Sequence, residues 1–156
     1  MGFLIEASEG EHEKAMFVAR RAQLLDIRPF ELHAKMLDVE AAADMQEVDE
    51  FGTTLSVRVN GDKLICDFQY DFTLIGLRDQ PAVELSVHLA ALFRLRLVDA
   101  TENGIEQDFL DAFARTTGQL AVHPYLRSAV SELTARLGIS PVTLDLLMLG
   151  DKDEQL

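Results

Sequence analysis

Side chains able to do chemistry are few in this sequence and lie far apart. Its four histidines, His12, His33, His88 and His123, fall on four separate stretches, and Cys66 is the single cysteine. A zinc-protease helix needs two histidines four residues apart; Glu11-His12-Glu13 offers one, and no second follows at that spacing. One cysteine can form neither an internal disulfide nor a cysteine-rich metal site. The sequence contains no Walker phosphate loop, no Gly-x-Gly-x-x-Gly and no Gly-x-Ser-x-Gly turn. The carboxylate pair worth testing is Asp67 and Asp71. Four residues of extended chain separate them by roughly 13 Å, whereas cooperating glycosidase carboxylates sit about 5–9.5 Å apart. The pair reads as a solvated sheet face. Cys66 sits between Leu64 and Phe68 on the apolar side of the same stretch and reads as a small buried hydrophobe. No enzyme, no catalytic residue, no metal and no cofactor is expected.

The elements that carry these residues follow from periodicity. An amphipathic helix is expected over 11–23, with Ala15, Met16, Ala19 and Ala22 near one face and Glu11, Glu13 and Arg20 opposite. From Leu24 the period changes to two: Leu25 and Ile27, then Pro29, then Phe30, Leu32, Ala34 and Met36. Proline inside the run predicts an edge strand or a bulge. Six acids and no base lie between Met36 and Val57, a stretch that reads as an exposed crossover loop. Leu55, Val57 and Val59 alternate up to Asn60-Gly61, a hairpin signal whose turn positions need positive φ. The return strand puts Leu64, Cys66, Phe68, Tyr70, Phe72 and Leu74 on one face, and Asp67, Gln69, Asp71 and Thr73 on the other. After a turn at Leu77–Pro81, a long fourth strand points Val83, Leu85, Val87, Leu89, Ala91, Phe93, Leu95 and Leu97 inward. Helical spacing then takes over. Phe109, Leu110 and Phe113 mark a short helix ending near Gly118. A second helix opens at Pro124, repeats Leu126, Val130, Leu133 and Leu137, and stops at Gly138.

Strands first and helices afterwards define an α+β fold, a four-stranded antiparallel sheet with helices packed on one face. A single domain over 1–156 is expected: a helical extension at 1–23, the sheet at 24–98, a helical part at 105–149 and a tail at 150–156. The 156 residues are 48% hydrophobic and 26% charged, a globular composition. Acids outnumber bases 27 to 14, a formal net charge of −13. That disfavours a nucleic-acid partner, which requires a basic footprint, and direct binding to an anionic membrane. The longest stretch free of charged residues, 116–126, is far short of the roughly 20 residues of a membrane span. The apolar start is too brief for a signal peptide, so a cytoplasmic protein is expected. Phe68, Tyr70, Phe72 and Phe93 share one sheet face with many aliphatics, more than two short helices need cover. The surplus reads as an oligomer interface, as a groove for apolar segments, or as plain core.

His123-Pro124-Tyr125-Leu126-Arg127, followed by Val130, Leu133 and Arg136, resembles the Pro-Tyr-x-Arg helix of the SecB protein-export chaperones. Pro141-Val142-Thr143-Leu144-Asp145-Leu146-Leu147 is similar to that family's Pro-Val-x-x-Asp-x-Leu segment at the matching distance. Ala90-Ala91-Leu92-Phe93 is similar to the end of its last strand. The stretch Arg20-Arg21-Ala22-Gln23…Asp26-Ile27-Arg28 is nearest to the actinobacterial SecB-like branch. The resemblance spans about 20 to 149 and is most specific over 118–149.

The resemblance implies a homotetramer, a dimer of dimers, that holds non-native or precursor polypeptides in long apolar grooves without ATP or metal. Ile27, Phe30, Tyr70, Phe72, Val87 and Leu144 are the client-binding candidates it implies. It also implies docking of the translocation motor SecA on exposed sheet-face acids, for which Asp26 and Glu31 are the matching positions. On the last strand the matching position is Ser86, with His88 and Arg94 nearby. Some SecB-like proteins serve one antitoxin of a toxin–antitoxin pair, which leaves a dedicated antitoxin chaperone as an alternative. A small-ligand-binding domain is a further one.

Overall fold

The structure, a computed structural model, describes residues 3–45, 47–96 and 104–151. The chain runs β1 (Phe3–Ala7), α1 (Glu9–Ala19), β2 (Ala22–Met36), a 3-10 turn (Ala41–Ala43), β3 (Glu47–Asn60), β4 (Lys63–Ile75) and β5 (Pro81–Leu95). It continues through α2 (Gln107–Phe113), a π-helical turn (Ala114–Gly118), α3 (Gln119–Arg136) and β6 (Leu147–Asp151). Strands β2 to β5 form one antiparallel sheet in the order β2-β5-β4-β3, with helices on one face; β1 and β6 pair in parallel as a separate ribbon.

The core is the covered face of β4 and β5. Leu64, Cys66, Phe68 and Leu74 of β4 and Val83, Leu85, Val87 and Leu89 of β5 are all but inaccessible, because every second residue faces the helices. Leu110, Phe113, Val122, Leu126 and Val130 meet them from the helical layer. Phe93 and Phe113 touch edge to face with centroids 5.0 Å apart. Gly118 lies directly over Phe68, where a Cβ would come within 3.0 Å of the ring.

Five expectations change. The acidic stretch between Met36 and Val57 is not all exposed loop, because β3 begins at Glu47 and Ala41 and Ala42 of the crossover are buried. The stretch 1–23 is not one helical extension. Residues 3–7 are a strand, and α1 spans only Glu9–Ala19, started by Ser8 Oγ, which accepts the Glu11 N–H at 3.2 Å. Ala22 and Gln23 leave the helix because they pair with Leu95 and Arg94 of β5, and a tertiary ladder outweighs local propensity. The helical part stops at Arg136 rather than 149, and the first tail residues belong to β6, because 147–151 finds its partner at the other end of the chain. Gly118 and Pro124 do not separate two helices. A π turn carries the helix through Gly118, and Pro124 lies inside α3. The hairpin turns one residue later than Asn-Gly suggests: Asn60 pairs with Lys63, and Gly61 takes the positive φ of 64°. Gly138, at φ 80°, follows α3 as expected of a stop. Leu97 lies outside the described residues.

Pro29 marks both an edge and a bulge, as its position in the run predicts. Strand β2 borders the sheet, and its pairing steps from Pro29↔Leu89 to Glu31↔His88, leaving Phe30 as an extra residue. A second step leaves Leu25 extra between Leu24↔Phe93 and Asp26↔Leu92. Leu25 and Phe30 therefore fall out of the simple alternation.

Candidate functional site

A depression of about 430 Å³, only partly apolar and with Asp44, Ser140, Thr143 and Asp145 among its lining, opens beside the sheet, between the crossover after β2 and the irregular segment after α3. Ala42, Met45 and Val48 line one side, Pro141, Val142 and Leu144 the other, with Phe3 and Leu74 between them. Each wall is held by specific contacts. On the crossover side, Asp38 Oδ1 accepts the Glu40 and Ala41 N–H groups at 3.0 and 3.1 Å, which winds the 3-10 turn. The turn then lies against Gly76, where any Cβ would collide with the Ala41 carbonyl, so the close approach requires glycine. On the other side, α3 holds the segment through its side chains. Thr134 Oγ1 accepts the Val142 N–H at 3.0 Å, Arg127 Nε donates to the Leu144 carbonyl at 2.7 Å, and His123 Nε2 donates to the Asp145 carbonyl at 2.7 Å.

A second apolar region runs along β2. Leu24, Leu25, Phe30 and Leu32 are all substantially exposed, Phe30 at 63%. Phe30 stands in a shallow hollow on the helix-free face with Arg58, Asp67, Gln69 and His88, its ring centroid 5.4 Å from that of His88. Among the described residues β2 has one hydrogen-bonded neighbour, β5, so its outer edge presents backbone donors and acceptors.

The sequence-derived candidates divide. Phe30 is exposed, and Ile27 is partly buried against the core. Tyr70, Phe72 and Val87 are core side chains, 3%, 3% and 0% exposed, and Leu144 is buried in the depression's wall. In this chain the helices cover the face that Tyr70, Phe72 and Val87 share. Burial also pushes the Tyr70 phenol well above its usual range. Phe3, Met45, Val48 and Leu74 line the depression without having been candidates. A six-acid stretch masked the first wall, and only tertiary packing brings Phe3 to it.

The helix-free face is polar but not simply solvated. Asp67, with a side chain only 17% exposed, meets His88 at 3.0 Å and Arg58 at 3.6 Å. Asp71 accepts from Ser86 Oγ at 2.5 Å and from Gln69 at 3.3 Å, and Gln69 also donates to Ser86 at 2.9 Å. The two aspartates thus serve different partners. Asp26 pairs with Arg28 at 2.9 Å, and Glu31 is exposed opposite His88. Cys66 is inaccessible, and burial, helped by the neighbouring Asp67 charge, pushes its thiol up to about 12. The four histidines lie on α1, β2, β5 and α3. Among the described residues no group of three His, Cys, Asp or Glu side chains could hold a metal ion, and no helix is long and apolar enough to cross a membrane.

A β2-β5-β4-β3 antiparallel sheet roofed on one face, with apolar side chains left exposed at its rim, is a domain of the SecB type. The chain belongs to the SecB-like chaperone family. It is 30% identical over 147 residues to the SecB-like chaperone Rv1957 of Mycobacterium tuberculosis, covering 83% of this chain and 80% of that protein. It is 29% identical over 138 residues to the SecB-like chaperone SmegB of Mycolicibacterium smegmatis, covering 88% and 84%. The solved structure of Rv1957, in complex with a ChAD peptide from the Rv1956 HigA1 antitoxin, superposes with a TM-score of 0.76 at 26% identity, over 89% of this chain and 99% of that one. No protein-family model matches the chain. Its function is that of a molecular chaperone.

Proposed function

We propose that the chain acts as a holdase, binding non-native polypeptides at the rim of its sheet without nucleotide or metal, as a cytoplasmic homotetramer built as a dimer of dimers. The observation that carries this reading is the apolar side chains left exposed along β2, with Phe30 foremost; the partly apolar depression bounded by Leu144 supports it. An extended client can lay alternate side chains into such surface and add hydrogen bonds to a free edge. A client segment of about six residues burying about 400 Å² of apolar surface gains about 10 kcal/mol. Fixing its backbone costs about 6–12 kcal/mol. One groove therefore holds weakly, and several on one assembly hold tightly, which favours an oligomer. At 4 × −13 = −52, a tetramer would stay soluble despite its apolar surface and would draw in basic client segments. Stoichiometric chaperone should suppress aggregation of a denatured protein without nucleotide. No suppression at several-fold excess would rule the reading out.

A dedicated antitoxin client is the second reading, supported by the antitoxin peptide bound to the similar Rv1957 structure. Restoration of general export in a strain lacking SecB would count against it. A SecA-type motor would meet Asp26 and Glu31 on the outer side of β2, where Asp26 is already paired with Arg28. If that face docks the motor, the double variant Asp26→Arg, Glu31→Arg keeps aggregation suppression and loses SecA binding. Unchanged SecA affinity would remove both residues from the site.

A further inference from the structure

The two walls of the depression are secured differently. The crossover wall leads into β3, whose ladder to β4 begins at Glu47↔Ile75 and Val48↔Leu74. The opposite wall, 140–145, has no strand or helix of its own. It is tied to α3 by His123, Arg127 and Thr134, spaced four and seven residues apart, close to one and two helical turns, so that one helix face meets the carbonyls of Asp145 and Leu144 and the amide of Val142 in reverse order. Of the three ties, His123 alone can change charge in mildly acidic solution.

Its surroundings hold the ring in place. A ring nitrogen facing a carbonyl oxygen must donate, so the neutral ring carries its proton on Nε2. The ring is buried and stacks against Phe3 of β1, centroids 5.4 Å apart. Arg127 stands one turn along the same helix. The other charged groups on the elements packed around it are Asp145 on the segment, Glu6 on β1, Arg115 before α3 and Asp44 across the depression. Burial foremost, and the Arg127 charge after it, hold the ring's pKa below its ordinary 6.5, opposed by the bond to the Asp145 carbonyl.

We propose that His123 is a positioning residue that, with Arg127 and Thr134, fixes the 140–145 wall of the client depression. The proposal rests on the holdase reading for its consequence, though not for the tether itself. The ring donates from Nε2 in both its neutral and its protonated form, so removal of the donor, not its protonation, frees the wall.

The test compares the full-length protein with His123→Gln, which keeps an N–H donor, and His123→Phe, which keeps a ring against Phe3 and loses the donor. Binding of fluorescently labelled, reduced and alkylated α-lactalbumin is titrated at pH 7.5, and hydrogen exchange of 140–146 is followed without client. His123→Phe should bind about 3- to 10-fold more weakly than the unsubstituted protein and exchange faster in 140–146, and His123→Gln should restore both toward the unsubstituted protein. Equal affinity and equal exchange in all three, or losses in His123→Gln as large as in His123→Phe, would overturn the proposal. If α-lactalbumin binds to none of them, the holdase reading fails, and the exchange data alone decide whether His123 holds the wall.

Discussion

Strands β4 and β5 each lie between two hydrogen-bonded neighbours and under the helices, whereas β2 pairs on one side and is only partly roofed. The consequence is visible in like side chains. Phe68 of β4 is inaccessible, and Phe30 of β2 is the most exposed aromatic side chain described. Both belong to alternating apolar runs, and the difference comes from topology and from the bulge at Pro29, which leaves Phe30 without an opposite residue. Apolar residues in the centre of this sheet hold the fold together, while those at its rim remain for other molecules.

That distinction can be broken or sharpened by measurement, beginning with the largest effect. Cys66 marks the centre of the sheet, and with its thiol pushed up to about 12 only about one part in 10⁴ is thiolate at pH 8. Labelling with a thiol-specific disulfide reagent should be orders of magnitude slower in the native protein than after urea unfolding. Native labelling at the free-thiol rate would mean that β4 opens, and the centre would no longer differ from the rim. Next, Phe68→Ala should cost about 3–5 kcal/mol of stability in urea titrations, because it empties a site packed against Gly118 and Tyr70. The smallest change in stability belongs to the rim. Phe30→Ala should stay within about 0.5 kcal/mol of the parent while weakening the binding of unfolded protein. Equal stability losses for the two phenylalanines would erase the contrast.

Much of the centre could be read from the sequence, because a residue buried on one face of a sheet announces itself through a period of two. The β4 and β5 faces, the edge character of β2 and the stop at Gly138 were all accessible in this way. The Pro-Tyr-x-Arg and Pro-Val-x-x-Asp-x-Leu segments brought α3 and the following segment into view through their family resemblance. The rim was less legible for physical reasons. A bulge reverses which side chains face out without altering composition, so the alternation alone does not tell which face Phe30 takes. The β1–β6 ribbon joins opposite ends of the chain, and no local pattern records such a pairing. Phe3 reaches the depression, and the ring of His123, only through it. Tyr70, Phe72 and Val87 mark the converse difficulty. An apolar sheet face looks the same in sequence whether the chain's own helices or a client will cover it.

The most direct test is a hydrogen-exchange comparison of the chain alone and saturated with reduced, alkylated α-lactalbumin. The expected result is added protection along 24–36 and 140–146, with the centre of β4 unchanged because its amides are already protected. No added protection along 24–36 and 140–146 under saturating client would contradict a client site at the edge of the sheet.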